Sequence, residues 1–152
     1  MNEMLANHFF MARKYPEAKK ALLECLDLSP DDKSIIKKLI LCFTQTGEIE
    51  EGFDLLCKLA MEDFEFIINT NPEEDDCPCI ELLNQVDGLA ITKESREYFL
   101  MLGIIWLYCD AYTSLGYFKK AATFKSSDER LLIVINKILH HLNKEGERYG
   151  KM

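Results

Sequence analysis

The chain has 152 residues, of which 48% are hydrophobic and 29% charged, and its formal net charge is −8. That composition describes a globular chain long enough for one domain with a sizeable core, not a disordered one. The acidic surplus excludes the basic face that nucleic acid demands and disfavours an anionic membrane surface. No basic leader precedes an apolar run at the start. The most apolar stretch, "YFLMLGIIWLYCDAY" (98–112), is too short for a comfortable membrane span, and Asp110 interrupts it. The expectation is therefore a cytoplasmic protein with reduced thiols.

Taken in order, the chain reads as helices throughout. A first helix starts at the first residues, with no leading turn. Either the chain is cut from a longer array, or another surface covers that helix, which leaves room for a homodimer. "YPEAKKALLECLDLSP" (15–30) follows, with Pro16 suited to a first helical turn and Pro30 to a stop. "IIKKLILCFTQTGEIEEGFDLL" (35–56) reads as two more helices about Gly47. "NTNPEEDDCPC" (69–79) cannot be one continuous helix, because it carries Pro72 and Pro78. A short helix over "CIELLNQVDG" follows, capped by Asp75 or Asp76 and ended by Gly88. Thr92 or Ser95 then starts a long helix through Leu115. "SSDERLLIVINKILHHLNK" (126–144) places Ser126 and Glu129 at capping-box spacing before a broad apolar face. "EGERYGKM" reads as a frayed tail.

The helices repeat. When the chain is laid against itself with Phe9 on Phe43, Ala18 falls on Gly52 and Leu22 on Leu56. When Phe43 is then laid on Tyr112, Gly47 falls on Gly116 and Gly52 on Ala121. A bulky residue, a turn and then a small residue is the requirement of a close helix hairpin. The glycine ends one helix, and the small residue lets the next cross near it.

This pattern resembles the tetratricopeptide repeat (TPR), a helix–turn–helix unit of about 34 residues. The resemblance rests on Ala18, Leu22, Cys25 and Pro30 in the first copy. In the second it rests on Ile36, Leu39, Phe43, Gly47, Ile49, Gly52 and Leu56. In the third it rests on Ile105, Cys109, Tyr112, Gly116, Phe118 and Ala121. Lys125 departs from the pattern, so the last helix of that copy should be short, and Ile40 replaces a usual small residue.

The resemblance implies an all-α, right-handed superhelix of antiparallel hairpins over 1–145. Its repeats fall at about 1–32, 33–66, a degenerate 67–101, and 102–126, with a capping helix over 127–144 and a tail over 146–152. It also implies a concave groove that binds a peptide or partner segment. The residues placed on that groove are Asn7, Phe10, Met11, Lys37, Lys38, Leu41, Thr44, Gln45, Trp106 and Asp110, with Glu3, Ser34, Thr113 and Ser114 beside them. Asn7 and Lys38 lie near positions of the carboxylate clamp found in co-chaperone members. Glu3, Gly103 and Leu107 stand where that clamp wants basic groups, so no clamp is expected.

Nothing in the chain reads as an enzyme. There is no phosphate loop, no G-x-S-x-G elbow and no H-E-x-x-H motif. No cofactor is expected. Among six cysteines, Cys77 and Cys79 form a C-x-C pair beside Glu73, Glu74, Asp75 and Asp76. Two thiols with carboxylates are weak candidates for a soft metal, since zinc sites take four ligands; the plainer reading is a solvated acidic loop. Four cysteines sit among large apolar residues and read as small apolar fillers. From Leu59 to Thr92 the chain has no Lys or Arg, and this acidic belt suits either solubility or a basic partner. The functional expectation is a non-catalytic protein-interaction module. The alternatives are a small secretion-type chaperone, a regulatory or scaffold domain of a larger protein, and a thiol or metal protein built on Cys77 and Cys79.

Overall fold

A computed structural model of the chain describes residues 3–71, 73, 77–89, 91–124 and 128–150. Among them there are eight α-helices and no strand. The spacing predicts one repeat domain over 1–145; the packing divides the chain into two compact units, Met1–Leu59 and Ala60–Met152. No helix among the described residues is long and apolar enough to cross a membrane.

The first unit holds α1 (Glu3–Met11), α2 (Tyr15–Leu28), α3 (Lys33–Gln45) and most of α4 (Ile49–Ile68). Pro16 lies in the first turn of α2, and Ser29 closes that helix just before Pro30. Asp32 caps α3, its carboxylate accepting from the Ser34 and Ile35 amides at 3.0 and 3.2 Å. Ala18, Leu22, Leu39, Phe53 and Leu56 are fully buried.

The two hairpins of this unit share one turn. After α1, the Ala12 amide donates to His8 O and the Lys14 amide to Phe9 O, each at 2.9 Å. After α3, at the matching positions of the second copy, Thr46 donates to Cys42 O at 3.1 Å and Glu48 to Phe43 O at 3.0 Å. The residue inside each turn is left-handed: Arg13 at φ 61° and Gly47 at φ 79°. This is the Schellman arrangement, which satisfies carbonyls that the helix end would otherwise orphan. Glycine fits it freely. Arg13 occupies it with a side chain whose guanidinium donates back to Phe10 O at 3.3 Å. Where α4 crosses α3, a Cβ on Gly52 would lie 3.1 Å from Phe43 Cβ and 3.3 Å from Ile40 O. The small residue is therefore a packing requirement. Lys19 of α2 pairs with Glu48 of the second turn and stands 5.9 Å over the Phe43 ring.

Within α4 the backbone leaves the helical path at Asp63, with φ −160° and ψ 78°. The Asp63 carboxylate then accepts from the Phe66 amide at 3.3 Å, so it acts as a fresh cap for the last turn.

The second unit contains the end of α4, α5 (Cys79–Gln85) with a 3₁₀ turn over Val86–Gly88, α6 (Arg96–Leu107), α7 (Ala111–Ala122) and α8 (Glu129–Gly150). Of the two proposed starts for α6, Ser95 is the cap, accepting from the Tyr98 amide at 3.1 Å. Pro78 stands at the N-cap of α5 and makes no side-chain capping bond. Asp75 and Asp76 lie outside the described residues, as do Lys125 and Ser126.

The third hairpin departs from the predicted register. The long helix expected through Leu115 stops at Leu107, and the turn falls at 108–110. There the Cys109 and Asp110 amides donate to Trp106 O at 2.8 and 2.7 Å. Gly116 consequently sits inside α7 rather than in a turn, and Tyr112 is 74% exposed rather than packed. The physical reason is a different close approach. Ser114 donates to Gly103 O at 2.6 Å, and a Cβ on Gly103 would meet the Phe118 ring at 2.7 Å. Gly103 and Ser114 are the small pair that lets α6 and α7 touch.

Before α8, Asp128 takes the capping role, accepting from the Arg130 amide at 3.0 Å. It also accepts from Arg96 Nη2 at 2.5 Å and Arg130 Nη2 at 2.9 Å. The segment read as a frayed tail is helical as far as Gly150.

Candidate interaction surface

The expected groove residues separate into a buried group and an accessible group. Phe10, Leu41 and Thr44 are 2%, 1% and 1% exposed. They are core, not groove. Thr44 satisfies its hydroxyl locally by donating to Leu41 O at 2.6 Å. Phe10 is buried on α1, and α3 is buried at Ile35, Ile36, Leu39, Ile40, Leu41, Cys42 and Thr44. Leu41 and Thr44 lie on the polar half of α3, outside its apolar stripe, and are buried all the same.

The accessible group sits along α1 and the polar edge of α3. Lys38 Nζ donates to Asn7 Oδ1 at 2.7 Å, joining the two helices. Lys37 and Gln45 are half-buried on α3, Ser34 and Glu3 are exposed, and Met11 is exposed at the end of α1. The Gln45 amide donates to Thr44 Oγ1 at 3.2 Å. This face offers cationic heads and amide groups beside a flexible apolar side chain, a mixture suited to peptide carbonyls and carboxylates.

Trp106 and Asp110 belong to the second unit. Trp106 is half-buried on α6, and Asp110 is exposed at the head of α7, where Thr113 donates to its carboxylate. Ser114 is buried on Gly103 and is not a surface residue. The acidic belt is on the surface at Glu62, Glu65, Glu73, Glu81 and Asp87, with Lys93 3.3 Å from Asp87. Glu74, Asp75 and Asp76 lie outside the described residues.

The C-x-C pair acquires a neighbour that the sequence does not announce. Cys109, in the α6–α7 turn, acts with Cys77 on the titration of the Cys79 thiol. Cys109, expected as an apolar filler, is exposed; Cys77 is half-buried and Cys79 buried. Hydrogen bonds from Cys109 and Cys77, aided by backbone amides at the start of α5, hold the Cys79 thiol below its ordinary value. The bond to Cys79, then burial, pushes the Cys77 and Cys109 thiols up. Among the described residues no group of three or more His, Cys, Asp or Glu side chains is arranged to hold a metal ion. Cys109 lies far along the chain from Cys79 and shares no motif with it, so only packing of α5 on α6 joins them.

No family model, curated protein or solved structure matches this chain.

Proposed function

We propose that the chain is a non-catalytic protein-interaction module of the TPR type, taking an extended partner segment on the face where α1 and α3 meet. The observation that carries this reading is the Schellman turn built twice at the repeat spacing, with matching hydrogen bonds at Lys14–Phe9 and Glu48–Phe43. A helix hairpin built twice to one plan is the unit of interaction solenoids. The Asn7–Lys38 pair supports the placement, because it brings hydrogen-bonding groups of both copies to one face. Hydrogen-bonding and cationic heads suit a segment rich in carbonyl or acidic groups. Since Asn7 already serves Lys38, short acidic C-terminal peptides are expected not to bind in the manner of a carboxylate clamp.

The test compares proteins retained by the full chain with those retained by a Lys37→Glu, Lys38→Glu double variant, after thermal melting shows both folded. Loss of the retained partners is expected. An unchanged set overturns the placement on this face.

A further inference from the structure

The interaction reading rests on the first unit and leaves the outer face of α7, in the second, without a use. That face carries Tyr112, Gly116, Lys119 and Lys120, all exposed, while Ser114, Leu115, Phe118 and Ala121 are buried. We propose that it docks an acidic amphipathic helix of another protein, which crosses α7 at Gly116 and sets its carboxylates against Lys119 and Lys120.

Three observations carry this. The first is a glycine that the chain's own packing does not use. Gly52 and Gly103 lie where two helices touch, and a Cβ there would stand 3.1 Å from Phe43 and 2.7 Å from Phe118. At Gly116 a Cβ would meet nothing within 4 Å, although a glycine weakens a helix interior. It repeats on the outside the small residue with which this chain makes its inner crossings, so its complement is a helix. The second is apolar surface on the same side. Tyr112, one turn before Gly116, is 74% exposed, and Phe124, just past the end of α7, is 54% exposed. Phe99 of α6 lies 6.0 Å from Phe124 and stacks on Tyr117 at 6.4 Å, centroid to centroid. These rings give apolar side chains a floor to rest on. The third is charge. The Lys120 ammonium stands 5.6 Å over Phe99 and 5.4 Å over Tyr117, so the rings position it. Residues 111–127 contain no Asp or Glu in a chain of net charge −8. An acidic partner is repelled by most of this protein and drawn to that stretch.

The same features decide against a second copy of this chain. Two copies joined through this face would set lysines against lysines. An acidic helix of one copy laid on α7 of the next joins unlike faces, and such a head-to-tail contact leaves a face open at each end. The partner helix therefore carries a small residue at the crossing, apolar residues to either side for Tyr112 and Phe124, and Asp or Glu along the edge that meets the lysines.

The experiment titrates the isotope-labelled full chain with three synthetic helical peptides and follows its amide resonances. The peptides share one apolar face with alanine at its centre and carry Glu, Gln or Lys along the edges. The Glu peptide is expected to shift the amides of Tyr112, Gly116, Lys119 and Lys120 and to bind about tenfold more tightly than the Gln peptide, while the Lys peptide leaves them unmoved. Gly116→Gln sets a long side chain at the crossing, in open space and with good helix propensity. It should weaken the Glu peptide about tenfold, as should the surface double variant Lys119→Glu, Lys120→Glu, with melting temperatures showing both folded. Equal binding of the three peptides, undiminished binding by either variant, or shifts confined to α1 and α3 would each overturn the proposal. Self-association of the chain alone that Gly116→Gln abolishes would give the face to a second copy and overturn it as well.

Discussion

The hairpins of the first unit and the α6–α7 hairpin of the second meet one packing demand through different means. In the first unit the turn sets the geometry. A left-handed residue, Arg13 or Gly47, reverses the chain, and hydrogen bonds at a fixed spacing close the helix end. In the second the reversal has no left-handed residue among 108–110, and the helices are held by contact instead: Ser114 on Gly103, and the Phe118 ring on the same glycine. The difference teaches that a small-residue crossing can be specified by the turn before it or by the fit beneath it. Only the first leaves a spacing to read.

The largest expected effect lies in the second unit. Asp128→Ala removes a nearly buried carboxylate shared by Arg96 and Arg130 and the cap of α8. The expected loss is about 3 kcal/mol, near the lower end for breaking a buried ion pair, measured by denaturant unfolding. Hydrogen bonding from Arg130, with Arg96 adding, holds the Asp128 carboxyl down to about 2 from its ordinary 3.8. Its folded value is lowered, so its contribution is present above about pH 4 and lost as pH falls toward 2. Asp128→Asn should flatten that acid limb; an unchanged limb would deny the pairing.

Next is Gly103→Ala, whose methyl would enter the Phe118 ring. Overpacking of this kind costs about 1–3 kcal/mol. A neutral outcome would mean that α6 and α7 are not held by contact. In the first unit, Gly47→Ala forces a side chain into the left-handed region and should cost about 1 kcal/mol. At the matching position, Arg13→Gly should move stability the other way. A common response at both sites would break the equivalence of the two turns. The smallest effect separates the two hairpin designs most cleanly. Gly116 lies inside α7 with open space where a Cβ would be. Gly116→Ala should therefore raise stability by about 0.5–1 kcal/mol through helix propensity. A fall in melting temperature would restore the turn to that position.

Much of the helix punctuation was legible. Pro16, Pro30, Gly47 and Ser95 act where their backbone chemistry says they should, since each constrains only its own few residues. Gly116 sits inside α7 because a glycine weakens a helix without ending it, and a repeat offset cannot tell such a glycine from one in a turn. Phe10, Leu41 and Thr44 were placed on a groove by counting one helix face. A face count reads one helix alone, whereas Phe10 on α1 and Leu41 and Thr44 on the polar half of α3 are covered by tertiary packing. The influence of Cys109 on the Cys79 thiol was illegible because nothing local joins a turn to the start of a helix so much earlier in the chain. The Asn7–Lys38 pair was found as two candidates, but its hydrogen bond depends on how α1 and α3 meet.

Asp63 has a consequence for how this chain can change length. Along an unbroken helix, one inserted residue turns everything after it by about 100°, carrying buried side chains outward. At Asp63 the helical path is already interrupted and capped anew, so an insertion beside it is taken up in extended backbone rather than passed down the helix. Of all places in α4, this is where a gained or lost residue disturbs the packing least.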